Sequence, residues 1–257
     1  MLKKSGPSYF FDGFKVIFEP KIRRYVFIPI IINLILFIGI WYAGFHYTDI
    51  LNHWIDAHIP TWLHWINWLI YVVAGVILLV ATAYLFGAIA IIIGSPFYGM
   101  LSEHVQNKYS ENKVPESGWN ETAAMVPKSI IREIRKVLSY IPLLIVVIIL
   151  SFIPVINMAN SVLWFLFGSW VQTIQFFDYP LDANKKSFYA LKQYLKENRS
   201  RTFSFGMITM LFMMIPVINI FAIPAAVAGA TLFYIDNSDL NIKAHLPETD
   251  KPSLIQN

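Results

Sequence analysis

The sequence contains no cysteine, which excludes disulfide bonds, a thiolate nucleophile and any cysteine-ligated metal site. Charge is also scarce. Asp, Glu, Lys and Arg make up 14% of the 257 residues, against about a quarter in ordinary soluble domains. No charged residue stands in the middle of any long apolar run, whereas proton-coupled carriers usually need one there. No G-x-x-x-x-G-K-[ST] segment occurs, so this chain does not hydrolyse ATP through a P-loop. No nucleophile–base–acid arrangement stands out, and the reading is of a non-enzyme without a cofactor.

What is abundant is apolar sequence, at 56% of residues with a mean hydropathy of +0.54. It comes in long runs rather than at every third or fourth position, and a shared core in water could not hide such runs. The first, about 25–44, matches the thickness of a bilayer core as a helix and carries Asn33 as its one strongly polar side chain. The second, about 66–93, is longer than a bilayer needs, and Gly94-Ser95-Pro96 is expected to break it. The polar, basic stretch before the first run has no cleavage pattern after it, so that run reads as a retained span rather than a signal peptide.

Charge of one sign is missing from one place. Phe45–Trp65 has no Lys or Arg but holds Trp54, Trp62 and Trp65, with Leu51, Trp54, Ile55 and Ile59 on one helical face. It reads as an interfacial belt lying flat on the membrane. All 20 Lys and Arg fall in four blocks elsewhere: Lys3–Arg24, Lys108–Lys136, Lys185–Arg201 and the tail. The net charge of +4 is therefore not a nucleic-acid surface, and the positive-inside rule places these blocks in the cytoplasm.

The remaining apolar stretches, about 137–177 and 203–235, both begin and end on the basic side, so each must turn around. An internal repeat marks the turns: Ile153-Pro154-Val155-Ile156-Asn157 recurs as Ile215-Pro216-Val217-Ile218-Asn219. Proline stops the incoming helix and asparagine can cap the outgoing one. Phe203–Ile215 would span about 20 Å as a helix, against a hydrocarbon core of about 30 Å. The expected fold is thus an all-α integral membrane protein. It has two long transmembrane helices, two re-entrant, hemi-penetrating hairpins and amphipathic cytoplasmic helices. These form a single polytopic domain over 1–236, and 237–257 is a polar, disordered tail. Four ordinary spans with tight outer turns are the alternative. Ala225, Ala226, Ala228 and Ala230 favour close helix packing near the end of the second hairpin.

Several polar groups are candidates for chemistry. Lys21-Ile22-Arg23-Arg24 precedes the first span. Guanidinium forks beside unpaired helix-start amides would cradle an oxyanion, or the basic residues could simply anchor topology. Lys128, Arg132, Arg135 and Lys136 share a helical face opposite Ile130, Ile131, Ile134 and Val137; such a face gathers anions or meets anionic headgroups. His46, His53, His58 and His64 have spacing too loose to specify a metal site. Gln172, Gln175, Asp178 and Asp182 mark either a pore mouth or a polar helix end.

The order of aromatic, proline and polar positions resembles the CysZ family of bacterial inner-membrane sulfate permeases. The residues that carry the resemblance are Ile22-Arg23-Arg24 with Pro29 and Asn33; Pro96-Phe97 with Gly99 and Leu101; Leu163-Trp164-Phe165-Leu166-Phe167 with Trp170; Asp178-Tyr179-Pro180 with Asp182; and Met214-Ile215-Pro216 with Asn219, Pro224 and Gly229-Ala230-Thr231. The resemblance implies sulfate uptake for assimilation into cysteine by a channel-like pathway, in a homo-oligomer for which a hexamer is one candidate form. It also implies that Ile22, Arg23 and Arg24, with Lys21 where the family commonly has glycine, belong to the sulfate site. Pore or gating candidates are Asn33, Asn157, Asn219, Gln175 and Asp178. A non-transporting scaffold or bilayer-shaping protein is the rival, and a membrane enzyme using the outer histidines is a further one.

Overall fold

The computed structural model describes residues 4–58, 67–154 and 158–242. Every regular element among them is an α-helix: α1 (Gly6–Val16), α2 (Arg23–His58), α3 (Asn67–Tyr109), α4 (Trp119–Ser151), α5 (Asn160–Ala183), α6 (Phe188–Glu197), α7 (Arg199–Met213) and α8 (Pro216–Ile242). They form two compact units, Met1–Val26 with Pro96–Asn257, and Phe27–Ser95. Three stretches among the described residues are long and apolar enough to cross a membrane: Arg23–Ala43, Ile130–Ser151 and Ile218–Ser238. Lipid-type exposure accompanies the first two. Leu34, Ile35, Ile38, Leu138, Ile145 and Ile149 all stand out from the protein, which water would penalise and hydrocarbon does not.

The core of the larger unit is aromatic. Phe177 on α5 meets Phe205 on α7 and Phe233 on α8, with ring centroids 5.3 and 5.0 Å apart. Phe10 on α1 lies edge-on to Phe212, at 5.0 Å. Phe10, Phe177, Phe205 and Phe233 are fully buried, each contributing on the order of 2–3 kcal/mol of apolar transfer energy. Polar ties close the same packing: Tyr9 Oη donates to Asp236 (2.8 Å) and Arg201 Nη1 donates to Asn237 (2.7 Å). The alanines Ala225, Ala226, Ala228 and Ala230 are fully buried, and α1 crosses α8 there with backbone nearly touching backbone. A Cβ built on Gly13 would sit 2.1 Å from the Ala225 carbonyl oxygen. Side-chain-free contact at this crossing is what lets α8 lie largely inside the protein.

Four expectations change. Gly94-Ser95-Pro96 does not end a helix; it lies inside α3. Proline removes one backbone donor and crowds one carbonyl, which a long helix held by neighbouring turns can absorb. Phe45–His58 is not a separate flat segment but the continuation of α2, while Ile59–Ile66 lies outside the described residues. At the second hairpin tip, Pro216 is the first residue of α8 rather than a terminator, and Asn219 lies inside that helix, its amide donating to the Ile215 carbonyl at 2.8 Å. It therefore does not cap α8; proline's preset φ and absent N–H suit the first helical position instead. The first tip follows Ser151 and precedes Asn160, and Asn157 lies outside the described residues. α8 also runs to Ile242, beyond Asp236, where an irregular tail was expected.

Between the hairpins, α6 is amphipathic. It buries Leu191, Tyr194 and Leu195 and turns Lys192 and Lys196 outward, with Ser187 Oγ accepting from the Ala190 amide as N-cap.

The turn from α1 into α2 is held by Glu19, whose carboxylate accepts from Lys108 Nζ and Tyr109 Oη on α3. Partial burial pushes the Glu19 carboxyl up, but the hydrogen bonds from Lys108 and Tyr109 and the Lys108 charge outweigh it and hold the carboxyl below its ordinary value. Its stabilisation is then complete above the usual glutamate pKa of about 4.3 and is lost as pH falls below it. Glu19→Gln should lower stability by about 0.5–1 kcal/mol at pH 7. The gap to the unmodified protein should begin to shrink in melts recorded in detergent as pH falls below about 4.3, where the unfolded carboxyl takes up its proton before the folded one; an unchanging gap would exclude the ionic account.

Candidate anion-binding site

Ile17 and Ile22 are buried, and Tyr25 and Val26 follow Ile22 on the same inward stripe. This stripe at i, i+3 and i+4 drives Lys21, Arg23 and Arg24 to the outside. The backbone at this point is partly committed. The amides of Ile22 and Arg23 both donate to the Glu19 carbonyl at 2.9 Å, and the Tyr25 amide donates to the Ile22 carbonyl at 3.0 Å. The expected cradle of free amides is therefore reduced, because a tight turn entering α2 already uses two of them. Ile22 acts as the apolar anchor of the turn, and the donors that remain available are mainly side chains.

Those side chains are not neutralised. Lys21 and Arg23 are exposed and make no ion pair among the described residues. Glu19, the acid closest in sequence, is engaged by Lys108 and Tyr109. Arg24 donates from Nη2 to Tyr25 Oη at 2.7 Å, and its guanidinium lies 4.7 Å from the Tyr25 ring centroid. One bond leaves the rest of the planar fork for a ligand. Tyr25 Oη is also 2.5 Å from His104 Nε2. Nothing local in the sequence points to Tyr25 and His104 as partners, since they are 79 positions apart and meet through the start of α2 and the last turns of α3.

The second basic face behaves differently. Arg132 donates from Nε (2.9 and 3.0 Å) and Nη2 (2.7 Å) to Asp178, and its Nη1 is 2.6 Å from Asp182. Lys136 is buried, with Nζ 2.6 Å from Glu133 and 3.2 Å from Asp178. Gln175 Nε2 reaches Glu133 at 3.4 Å. Arg132 and Lys136 thus face inward and join α4 to α5, while Ile130, Ile131, Ile134 and Val137 are exposed. They are not free to gather anions, because three acids already surround them. Gln175 and Asp178 belong to this same cluster.

The other candidates are scattered. Asn33 lies in α2 with its Oδ1 buried and without a hydrogen-bond partner among the described residues, Asn219 lies in the first turns of α8, and Asn157 is outside the described residues. His46, His53 and His58 belong to α2 and His64 is outside the described residues. Among the described residues no three His, Asp or Glu side chains are grouped as a metal site would require.

The family model described as "Sulfate transporter CysZ/Etoposide-induced protein 2.4" matches residues 9–224, a range that includes the whole candidate site. A Pectobacterium atrosepticum protein named "Sulfate transporter CysZ" is 39% identical over 249 residues, covering 95% of this chain and 89% of the relative. Proteins of the same name from Pseudomonas syringae pv. tomato and Salmonella typhimurium are 40% and 36% identical, covering 90% and 91% of this chain and 92% of each relative. With one model spanning most of the chain and relatives matched at this identity over most of their length, the protein belongs to the sulfate transporter CysZ/etoposide-induced protein 2.4 family.

Proposed function

We propose that this protein carries sulfate across the bacterial inner membrane for assimilation into cysteine, through a channel-like path without ATP hydrolysis. The observation that carries this reading is the cluster of exposed Lys21 and Arg23, without an ion pair among the described residues, with the tethered Arg24 at the entry to an apolar helix. Sulfate is a strongly hydrated dianion, costly to strip of water. Guanidinium forks match its tetrahedral oxygens and can replace part of the hydration shell. Because the site is exposed rather than enclosed, the ion can also leave, as conduction requires.

In this reading the basic blocks are cytoplasmic and the chain forms one multi-pass domain. α2 and α3 provide the full spans, and the α4–α5 and α7–α8 pairs form hairpins. The 15 residues of α7 correspond to about 22 Å, short of a hydrocarbon core of about 30 Å, which supports partial penetration of the second hairpin. Its tip must then be covered by protein or water, and assembly into a homo-oligomer would provide such cover. Asn33, Asn157 and Asn219 are uncharged polar groups suited to lining a path through apolar helices, and the Gln175–Asp178 cluster is suited to gating it by holding α4 on α5. The proposal assigns the chain no enzymatic activity and no cofactor.

Labelled-sulfate flux into proteoliposomes tests the function. Arg23→Ala/Arg24→Ala should raise the half-saturating sulfate concentration about 10- to 100-fold, the loss of one or two charge-assisted contacts. Absence of saturable flux above empty vesicles, with the unmodified protein correctly inserted, would defeat the permease reading and favour a scaffold.

A further inference from the structure

An exposed arginine samples many rotamers, and ordering it to meet an anion opposes binding. Arg24 is already partly ordered. The Tyr25 ring is 5% exposed, and it presents both its face and its hydroxyl to the guanidinium, 4.7 Å from the centroid and 2.7 Å from Nη2. The hydroxyl is also 2.5 Å from His104 Nε2, with the two rings 4.0 Å apart.

The direction of this chain follows from its last link. His104 Nδ1 lies 2.8 Å from the Met100 carbonyl oxygen, which can only accept, so Nδ1 carries the proton. In the neutral ring Nε2 is then an acceptor and takes the Tyr25 proton. That leaves the Tyr25 oxygen lone pairs for Arg24. Glu116 stands at the edge of the arrangement, 3.4 Å from Nε2. Phenylalanine at position 25 would keep the ring but lose both the contact to His104 and the acceptor for Arg24.

We infer that Tyr25, with its hydroxyl oriented by His104, is a positioning residue that holds the Arg24 guanidinium ready for a tetrahedral dianion. This rests on the sulfate-permease reading above. Tyr25 and His104 need not touch the ion; they reduce the ordering that Arg24 must undergo when the ion arrives.

Sulfate flux in proteoliposomes separates the two ideas. Tyr25→Phe should raise the half-saturating sulfate concentration about 3- to 10-fold, the ordering of one flexible side chain, and leave the maximal rate per inserted protein unchanged. In an Arg24→Ala background the same substitution should change neither value. His104→Leu, which removes the acceptor but keeps Tyr25, should shift half-saturation in the same direction and again only when Arg24 is present; it decides the matter if Tyr25→Phe fails to insert. If Arg24→Ala weakens half-saturation but Tyr25→Phe does not, the positioning role is overturned and the permease reading stands. An equal effect with and without Arg24 would mean that Tyr25 acts through packing, which also overturns the inference. If Arg24→Ala itself changes nothing, the anion site is misplaced and the inference falls with it.

Discussion

Asp178→Ala is expected to destabilise the protein by about 3–5 kcal/mol, the cost typical of removing one partner from a buried ion pair. Asp178 is 4% exposed and receives three hydrogen bonds from Arg132, while Lys136 Nζ stands 3.2 Å away with its side chain 2% exposed. Removing the carboxylate leaves the buried Lys136 and the half-buried Arg132 to share Glu133, 2.6 Å from Lys136 Nζ, and Asp182, 2.6 Å from Arg132 Nη1. Those remaining acids place the effect toward the lower end of the range. Asp178→Asn keeps an acceptor but loses the charge, and should fall between the alanine variant and the unmodified protein. Denaturant unfolding in detergent micelles measures this. A change below about 1 kcal/mol, the usual size for exposed pairs, would show that the cluster is solvated rather than buried. Because the cluster joins α4 to α5, proteolysis at that hairpin should increase in parallel with the loss of stability.

Gly229→Val should be almost as damaging, at about 3 kcal/mol, the upper part of the overpacking range. A Cβ at Gly229 would lie 2.5 Å from the Tyr9 carbonyl oxygen, 3.0 Å from its carbon and 3.1 Å from Phe10 Cα. These are backbone atoms of α1, which cannot rotate aside as a side chain can. α1 would have to lift from α8, pulling Tyr9 from Phe233, whose rings are 4.9 Å apart, and Phe10 from the core. Gly39→Ala is the contrasting case, with nothing within 4 Å of the new Cβ, and should be neutral or stabilising by about 0.5–1 kcal/mol through helix propensity. Melting both variants in the same detergent reads the difference. Equal melting temperatures would refute close backbone contact at the α1–α8 crossing.

Both effects concern helix pairing, and pairing is where the sequence was least informative. Ile215-Pro216 marked a place where the chain turns, though Pro216 opens α8 there rather than ending α7. Reading proline as a helix stop also misread Pro96, which sits within α3, since the cost of a proline depends on the rest of the helix and its supports. The amphipathic reading of Phe45–Trp65 located an interfacial composition but not the continuity of α2 through His58; aromatic periodicity does not reveal where a helix starts. Family resemblance, carried by ordered aromatic and proline positions, reached further than any of these local rules.

The basic residues divide most clearly. Sequence alone determined that the chain is helical and suited to lipid, because apolar runs of this length have no other economical solvent. It also determined which residues carry positive charge. Only the tertiary structure decided which of those charges are available. Arg132 meets Asp178 across 46 positions and Lys136 is buried beside it, whereas Lys21 and Arg23 stay exposed and Glu19 is engaged by Lys108. The reason is physical: whether a cation attracts an anion depends on the nearest opposite charge and on burial, and both are set by helix packing between residues far apart in the chain.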